Sequence, residues 1–218
     1  MLTSRELTIL TKIVHNILFQ KHPKLNELIK YLMDMVKLLA DLNLPIAWLT
    51  PSGLYINQAY KKKMKVKVTN TFNRKKFITL AIPTNILDQQ KQIRGIVPNL
   101  VHSLDASILA FTINIFFKRQ LISNIYTIHD CFASTATNIP LMTDFIREAF
   151  IELYSHETYI DNLHQFLMQY ISNNYVIDKD GEIEILNNDN KTYYKIPKKP
   201  HVKALDPYII KKALYLIH

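Results

Sequence analysis

Cysteine is nearly absent from the chain: Cys131 is the only one. A single thiol excludes an intramolecular disulfide and any zinc site built on two or four thiolates. Long apolar runs are missing too. No stretch of about 18 or more uninterrupted apolar residues occurs, so no membrane span is expected. The opening residues, Met1-Leu2-Thr3-Ser4-Arg5-Glu6, carry neither a signal-peptide core nor an Arg-rich, acid-poor transit pattern. Acidic charge is in deficit. Asp and Glu number 18 against 27 Lys and Arg, a net charge of +9. That balance favours a polyanionic partner, nucleic acid ahead of an anionic membrane surface.

What is present suits a globular chain. At 218 residues and 48% hydrophobic content, it can bury a core and fits one domain or one large piece of a domain. Thr3 or Ser4 can cap a first helix, with Leu7, Leu10, Val14, Ile17 and Leu18 at helical spacing. After His22-Pro23, a second helix runs from about Lys24 to Asp41 with Leu32, Met35, Val36 and Leu39 on one face. Both stripes are expected to be core. Leu44 to Thr50 reads as a strand and Pro51-Ser52-Gly53 as a turn.

A basic run follows, Tyr60 to Lys67. Lys63, Lys65 and Lys67 alternate with Met64, Val66 and Val68, which implies a strand with one charged face. Such a face is either an edge guarded by lysine or a surface that contacts nucleic-acid phosphates. Lys61, Lys62, Lys63 and Arg94 are the candidate phosphate contacts. Phe77 to Pro83 reads as the next strand and Asp88 to Arg94 as a polar connection. Further helices are expected over Ile139–Leu153 and about Tyr159–Ser172. Residues 176–194 hold a hairpin turning at Asp180-Gly181, read as an insertion, and 197–218 form a C-terminal tail with a short helix from Asp206-Pro207.

Two stretches carry chemistry. Asn124 to Thr135 places His129 and Asp130 between short apolar runs, a pattern for the tip of a hairpin with a buried strand at Ile125–Ile128. A carboxylate there suits Mg2+, which takes oxygen ligands and usually only one or two protein carboxylates. The other stretch is Pro98-Asn99-Leu100-Val101-His102-Ser103-Leu104-Asp105-Ala106-Ser107. It leads into an apolar helix ending near Lys118 and Arg119, with Ser103 or Asp105 as its cap.

The order P-N-x-V-H-S-x-D-A-S, helix, then I-H-D-x-F resembles the C-terminal part of phage-type single-subunit RNA polymerases. These include mitochondrial enzymes and those of mitochondrial linear plasmids. The match extends to the Trp48 strand, to Thr50-Pro51-Ser52-Gly53 and to Gln58-Ala59-Tyr60. The wealth of Lys, Ile, Asn and Tyr beside only 3 Gly suits an AT-rich genome such as an organelle or its plasmid, hence a mitochondrial location.

The resemblance implies an α+β fold: the C-terminal palm and fingers portion of a right-hand polymerase, one module over 1–218. Helices would pack on a small antiparallel sheet bearing a catalytic β-hairpin. It implies template-directed ribonucleotidyl transfer with DNA template, nascent RNA and ribonucleoside triphosphates as partners. Asp130 becomes a catalytic Mg2+ ligand in a two-metal site. His129 orients it or contacts the nascent strand, and His102 meets a ribose 2'-hydroxyl.

The sequence also departs from the family. Its usual H-D-S-F-G-T appears here as His129-Asp130-Cys131-Phe132-Ala133-Ser134-Thr135. The family's other metal-binding Asp, its fingers helix with nucleotide-binding Lys and its promoter-binding region have no counterpart. One carboxylate does not assemble a two-metal site, so the chain alone is expected to be inactive and to need an upstream fragment as partner. A non-catalytic nucleic-acid-binding relic is the alternative. A metal-dependent phosphohydrolase is the third reading, but that class carries its His-Asp pair on a helix.

Overall fold

The protein is described by a computed structural model covering residues 3–69, 77–119, 124–129, 131–155, 159–178, 181–187, 190–201 and 206–212. Helices α1 (Ser4–Lys21) and α2 (Pro23–Asp41) come first. Strands β1 (Ile46–Leu49), β2 (Tyr55–Gln58), β3 (Lys61–Thr69) and β4 (Phe77–Leu87) lead into the long helix α3 (Gln89–Lys118). Then follow β5 (Tyr126–Ile128), β6 (Cys131–Ala133), α4 (Ile139–Ser155), α5 (Tyr159–Ser172), β7 (Glu182–Asn187) and β8 (Asn190–Lys195). A 3-10 helix over Pro207–Lys212 stands where the short tail helix was expected.

Helix α3 organises the rest. Its 30 residues make a rod of about 45 Å. The Asp88 side chain caps it by accepting from the Lys91 backbone N–H at 3.2 Å. The segment read as a polar connection is therefore its first two turns. Pro98 lies inside the helix, and Ser103 and Asp105 sit in its middle, so neither is a cap. Proline was misleading here because it is tolerated mid-helix where packing holds the turn; it leaves the Arg94 carbonyl without its usual donor.

Different faces of α3 are buried at its two ends. Ile96 and Leu100 join Met35 and Leu39 of α2, Trp48 of β1 and Leu167 of α5 in the larger core. Ile108 joins Ala149 and Leu153 of α4 in a smaller one. At about 100° per residue, 96 and 100 lie about 120° and about 80° around the helix from 108. The surface opposite the larger core stays open, with Arg94, Val101, His102 and Asp105 exposed. By length and composition α3 could cross a membrane. Here polar Gln92, Ser103, Ser107 and Thr112 are among its buried residues.

The α+β class stands, but among the described residues the expected small sheet is four separate two-stranded antiparallel sheets, each pairing consecutive strands. In the first, Gly53 adopts φ +87° and donates to the Thr50 carbonyl at 2.9 Å. At the C-terminal end, Gly181 takes φ +74° in a turn bridging Ile177 to Ile183. Strand β7 nevertheless pairs along its length with β8, so the main hairpin turns later than Asp180-Gly181. Asp180 itself lies outside the described residues.

Helix α1 departs from expectation as well. Thr3 and Glu6 form a complete capping box, yet no α1 residue is buried. Its apolar stripe, Leu7 to Leu18, is between 43% and 57% exposed. Helical periodicity identifies a face and says nothing about what covers it.

Candidate functional site

The β5–β6 hairpin pairs Tyr126 with Ala133, Thr127 with Phe132 and Ile128 with Cys131. His129 follows Ile128 directly and adopts φ +53°. Such a backbone costs a non-glycine residue about 1 kcal/mol, and strain of this kind gathers at functional positions. Asp130 lies outside the described residues. The Ser134 hydroxyl donates to the Asn124 carbonyl at 2.9 Å and closes the base of the hairpin. Strand β5 was expected to be buried, but Ile128 is half exposed. His129 thus follows a strand and does not sit on the helix that the phosphohydrolase reading needs.

His102 projects from the open face of α3 and is exposed, as is His129. Its neighbour Ser103 is buried and accepts from the Trp48 indole N–H at 3.0 Å while donating to the Leu100 carbonyl at 2.7 Å. Ser107 donates to the Ser103 carbonyl at 2.9 Å and lies 3.1 Å from the Ser52 hydroxyl, which is 3.0 Å from that of Thr50. The Thr50–Gly53 turn is therefore tied to the His102 motif through hydroxyls. Asp105 faces α4: burial first, and then the Asp105 carboxylate, push the Tyr154 hydroxyl pKa upward.

A second network ties Gln58-Ala59-Tyr60 to the same helix. Buried Gln58 donates through Nε2 to the Gln92 carbonyl and to Gln92 Oε1, both at 2.8 Å. Its Oε1 accepts from Asn99 Nδ2 at 2.7 Å, and Asn99 also donates to the Tyr60 hydroxyl at 3.1 Å. Gln92 keeps its Nε2 buried with no acceptor among the described residues. A Cβ on Gly95 would lie 2.8 Å from Tyr60 Cε2, so only glycine lets the ring approach. The sequence motifs include Gln58, Tyr60 and Asn99 but not Gln92 or Gly95. The available signal was an isolated glycine within a helical pattern, which marks close approach.

This contact sets the candidate phosphate ligands. Tyr60 against Gly95 brings the base of the β3–β4 ribbon, with Lys61, Lys62 and Lys63, beside the turn of α3 that carries Arg94. All four side chains are exposed. Along the ribbon, Lys63, Lys65 and Lys67 share one face, while Met64, Val66 and Val68 share the other with Ile78, Leu80 and Ile82. Lys67 stands 4.9 Å from the centre of the Phe77 ring.

Among the described residues no group of three or more His, Cys, Asp or Glu could hold a metal ion. The described residues alone do not build a divalent-cation site.

A family model described as DNA-dependent RNA polymerase matches residues 7–206, and the chain belongs to that family. It is 34% identical over 223 residues to a probable DNA-directed RNA polymerase of Neurospora crassa, covering 98% of this chain and 25% of the relative. A probable DNA-directed RNA polymerase of Podospora anserina is 31% identical, covering 100% of this chain and 24% of its own length. The mitochondrial DNA-directed RNA polymerase of Mus musculus is 28% identical over 77% of this chain and 14% of its own. The chain thus spans about a quarter of the length of the fungal relatives.

Proposed function

We propose that this chain supplies the C-terminal catalytic portion, palm with part of the fingers, of a DNA-directed RNA polymerase of organellar type. It acts in mitochondria on a DNA template, nascent RNA and ribonucleoside triphosphates. The observation that carries this reading is the β5–β6 strand pairing on either side of His129, within a family match covering 7–206.

Asp130 offers its carboxylate to a Mg2+ pair. When bound, such a pair activates the 3'-hydroxyl and stabilises the departing pyrophosphate. His129, held at positive φ, fixes the direction of the tip. His102 is open on α3 and its side chain makes no hydrogen bond among the described residues, so its ring N–H is available to a ribose 2'-hydroxyl. Lys61, Lys62, Lys63 and Arg94 hold phosphates as point charges and a fork.

The isolated chain is inactive. Mixed with a separately produced polypeptide equivalent to the rest of the Neurospora crassa relative, it restores Mg2+-dependent RNA synthesis from a DNA template. Asp130→Ala slows that synthesis about a thousandfold, and synthesis at the parental rate removes Asp130 from the mechanism. The exposed basic ribbon favours a second reading, nucleic-acid binding without catalysis. Duplex binding with no synthesis in any mixture is its signature.

A further inference from the structure

We infer that Gln58, Asn99 and Tyr60, closed over Gly95, form a positioning clamp that fixes the basic ribbon at one angle to the α3 face bearing Arg94 and His102. Only the consequence for nucleic-acid binding rests on the function proposed above.

Three observations carry it. First, the β3–β4 ribbon has little else to hold it: apart from Leu87 at its base, none of its described residues is buried. A two-stranded ribbon on its own is marginally stable at best and has no fixed direction. Its root therefore decides where it points. That root begins at Lys61, directly after the Tyr60 that packs on Gly95, and the Tyr60 carbonyl accepts from the Asp88 N–H at 2.8 Å.

Second, the root is locked by amides in place of apolar packing. Gln58 is 5% exposed and Gln92 is 1% exposed. Each of the two Gln58 side-chain atoms is committed to α3 through its donor or acceptor role. Buried directional bonds accept one arrangement and penalise neighbouring ones, whereas an apolar contact slides. Third, the clamp spans the turn where α3 is weakest. Pro98 withholds an N–H from the Arg94 carbonyl, and Gly95 adds backbone freedom in the same turn. Asn99, next after Pro98, bonds to both Gln58 and Tyr60 and holds that turn from outside.

The test uses distance measurement between spin labels at Lys65→Cys on the ribbon and Lys91→Cys on α3, in a Cys131→Ser background. The clamp predicts one narrow distance distribution. Asn99→Leu, which removes the donor, and Gly95→Ala, which pushes the Tyr60 ring without deleting any hydrogen-bonding group, broaden or shift it. Tyr60→Phe, which keeps the ring on Gly95, leaves it narrow.

Trp48 is the only tryptophan and is fully buried against α3, so its emission reports whether the helix stays docked. A moved ribbon with native Trp48 emission in either variant supports the clamp. An unchanged distribution in both variants overturns it, and so does a red-shifted Trp48 emission accompanying every change, which marks the residues as merely structural. Binding of a short DNA duplex at several salt concentrations is read on the same unlabelled variants. The log–log salt slope falls by about 0.9 for each phosphate that the protein ceases to neutralise. A moved ribbon with an unchanged slope leaves the clamp standing and removes Lys61, Lys62, Lys63 and Arg94 from a shared phosphate surface.

Discussion

Neighbouring residues of one motif divide the labour. His102 is exposed and bonded to nothing described, while Ser103 is the buried acceptor of the Trp48 indole. Ser103→Ala strands that N–H and should lower stability by about 1–3 kcal/mol, read from denaturant unfolding. His102→Ala should stay within about 0.5 kcal/mol of the parent, as a surface change does. Equal losses in the two would mean that His102 is part of the packing. The motif as a string did not reveal this split, because helical phase decides it and the helix start was misplaced.

A second residue-scale expectation concerns pH. The Tyr31 hydroxyl lies 2.7 Å from His164 Nδ1. Burial pushes the Tyr31 pKa up to about 12 and holds that of His164 below its usual value. The folded state therefore binds a proton at His164 less readily than the unfolded chain does. Stability from this source is complete above about pH 6.5 and is lost as pH falls toward the lowered value. His164→Gln should flatten that part of the stability–pH curve; an unaltered slope would contradict it.

At the scale of elements, what could be read in advance followed from local pattern. Helix α5 begins and ends where its stripe implies, because Leu163, Leu167 and Ile171 recur at helical spacing and are buried together. The His129-Asp130 hairpin was legible because two polar residues interrupt strand formers. The buried amides were not, since Gln and Asn are ordinarily surface residues and nothing in a string says that Gln58 meets Gln92. Nor could α1 be placed, because its stripe resembles that of α2 while its environment does not. An uncovered helix of 18 residues is marginal in water. Amide exchange of the isolated chain should therefore be fast throughout α1 and slow in α2 and in the core-facing turns of α3. Equal protection of α1 and α2 would contradict the exposure described.

For the whole molecule, the long helix α3 sets the geometry. It joins both cores, anchors the Trp48 strand by hydroxyls and the basic ribbon by amides, and presents His102 on its open face. In the function proposed above the reaction centre hinges on Asp130, which lies outside the described residues. Loss of one metal carboxylate removes several kcal/mol of transition-state stabilisation, on the order of a thousandfold in rate. The decisive measurement is single-nucleotide extension of an RNA primer on a preassembled DNA template by the reconstituted polymerase, comparing parent with Asp130→Ala. The account predicts that the variant still binds the hybrid and adds the ribonucleotide about a thousandfold more slowly. Extension at the parental rate would contradict it.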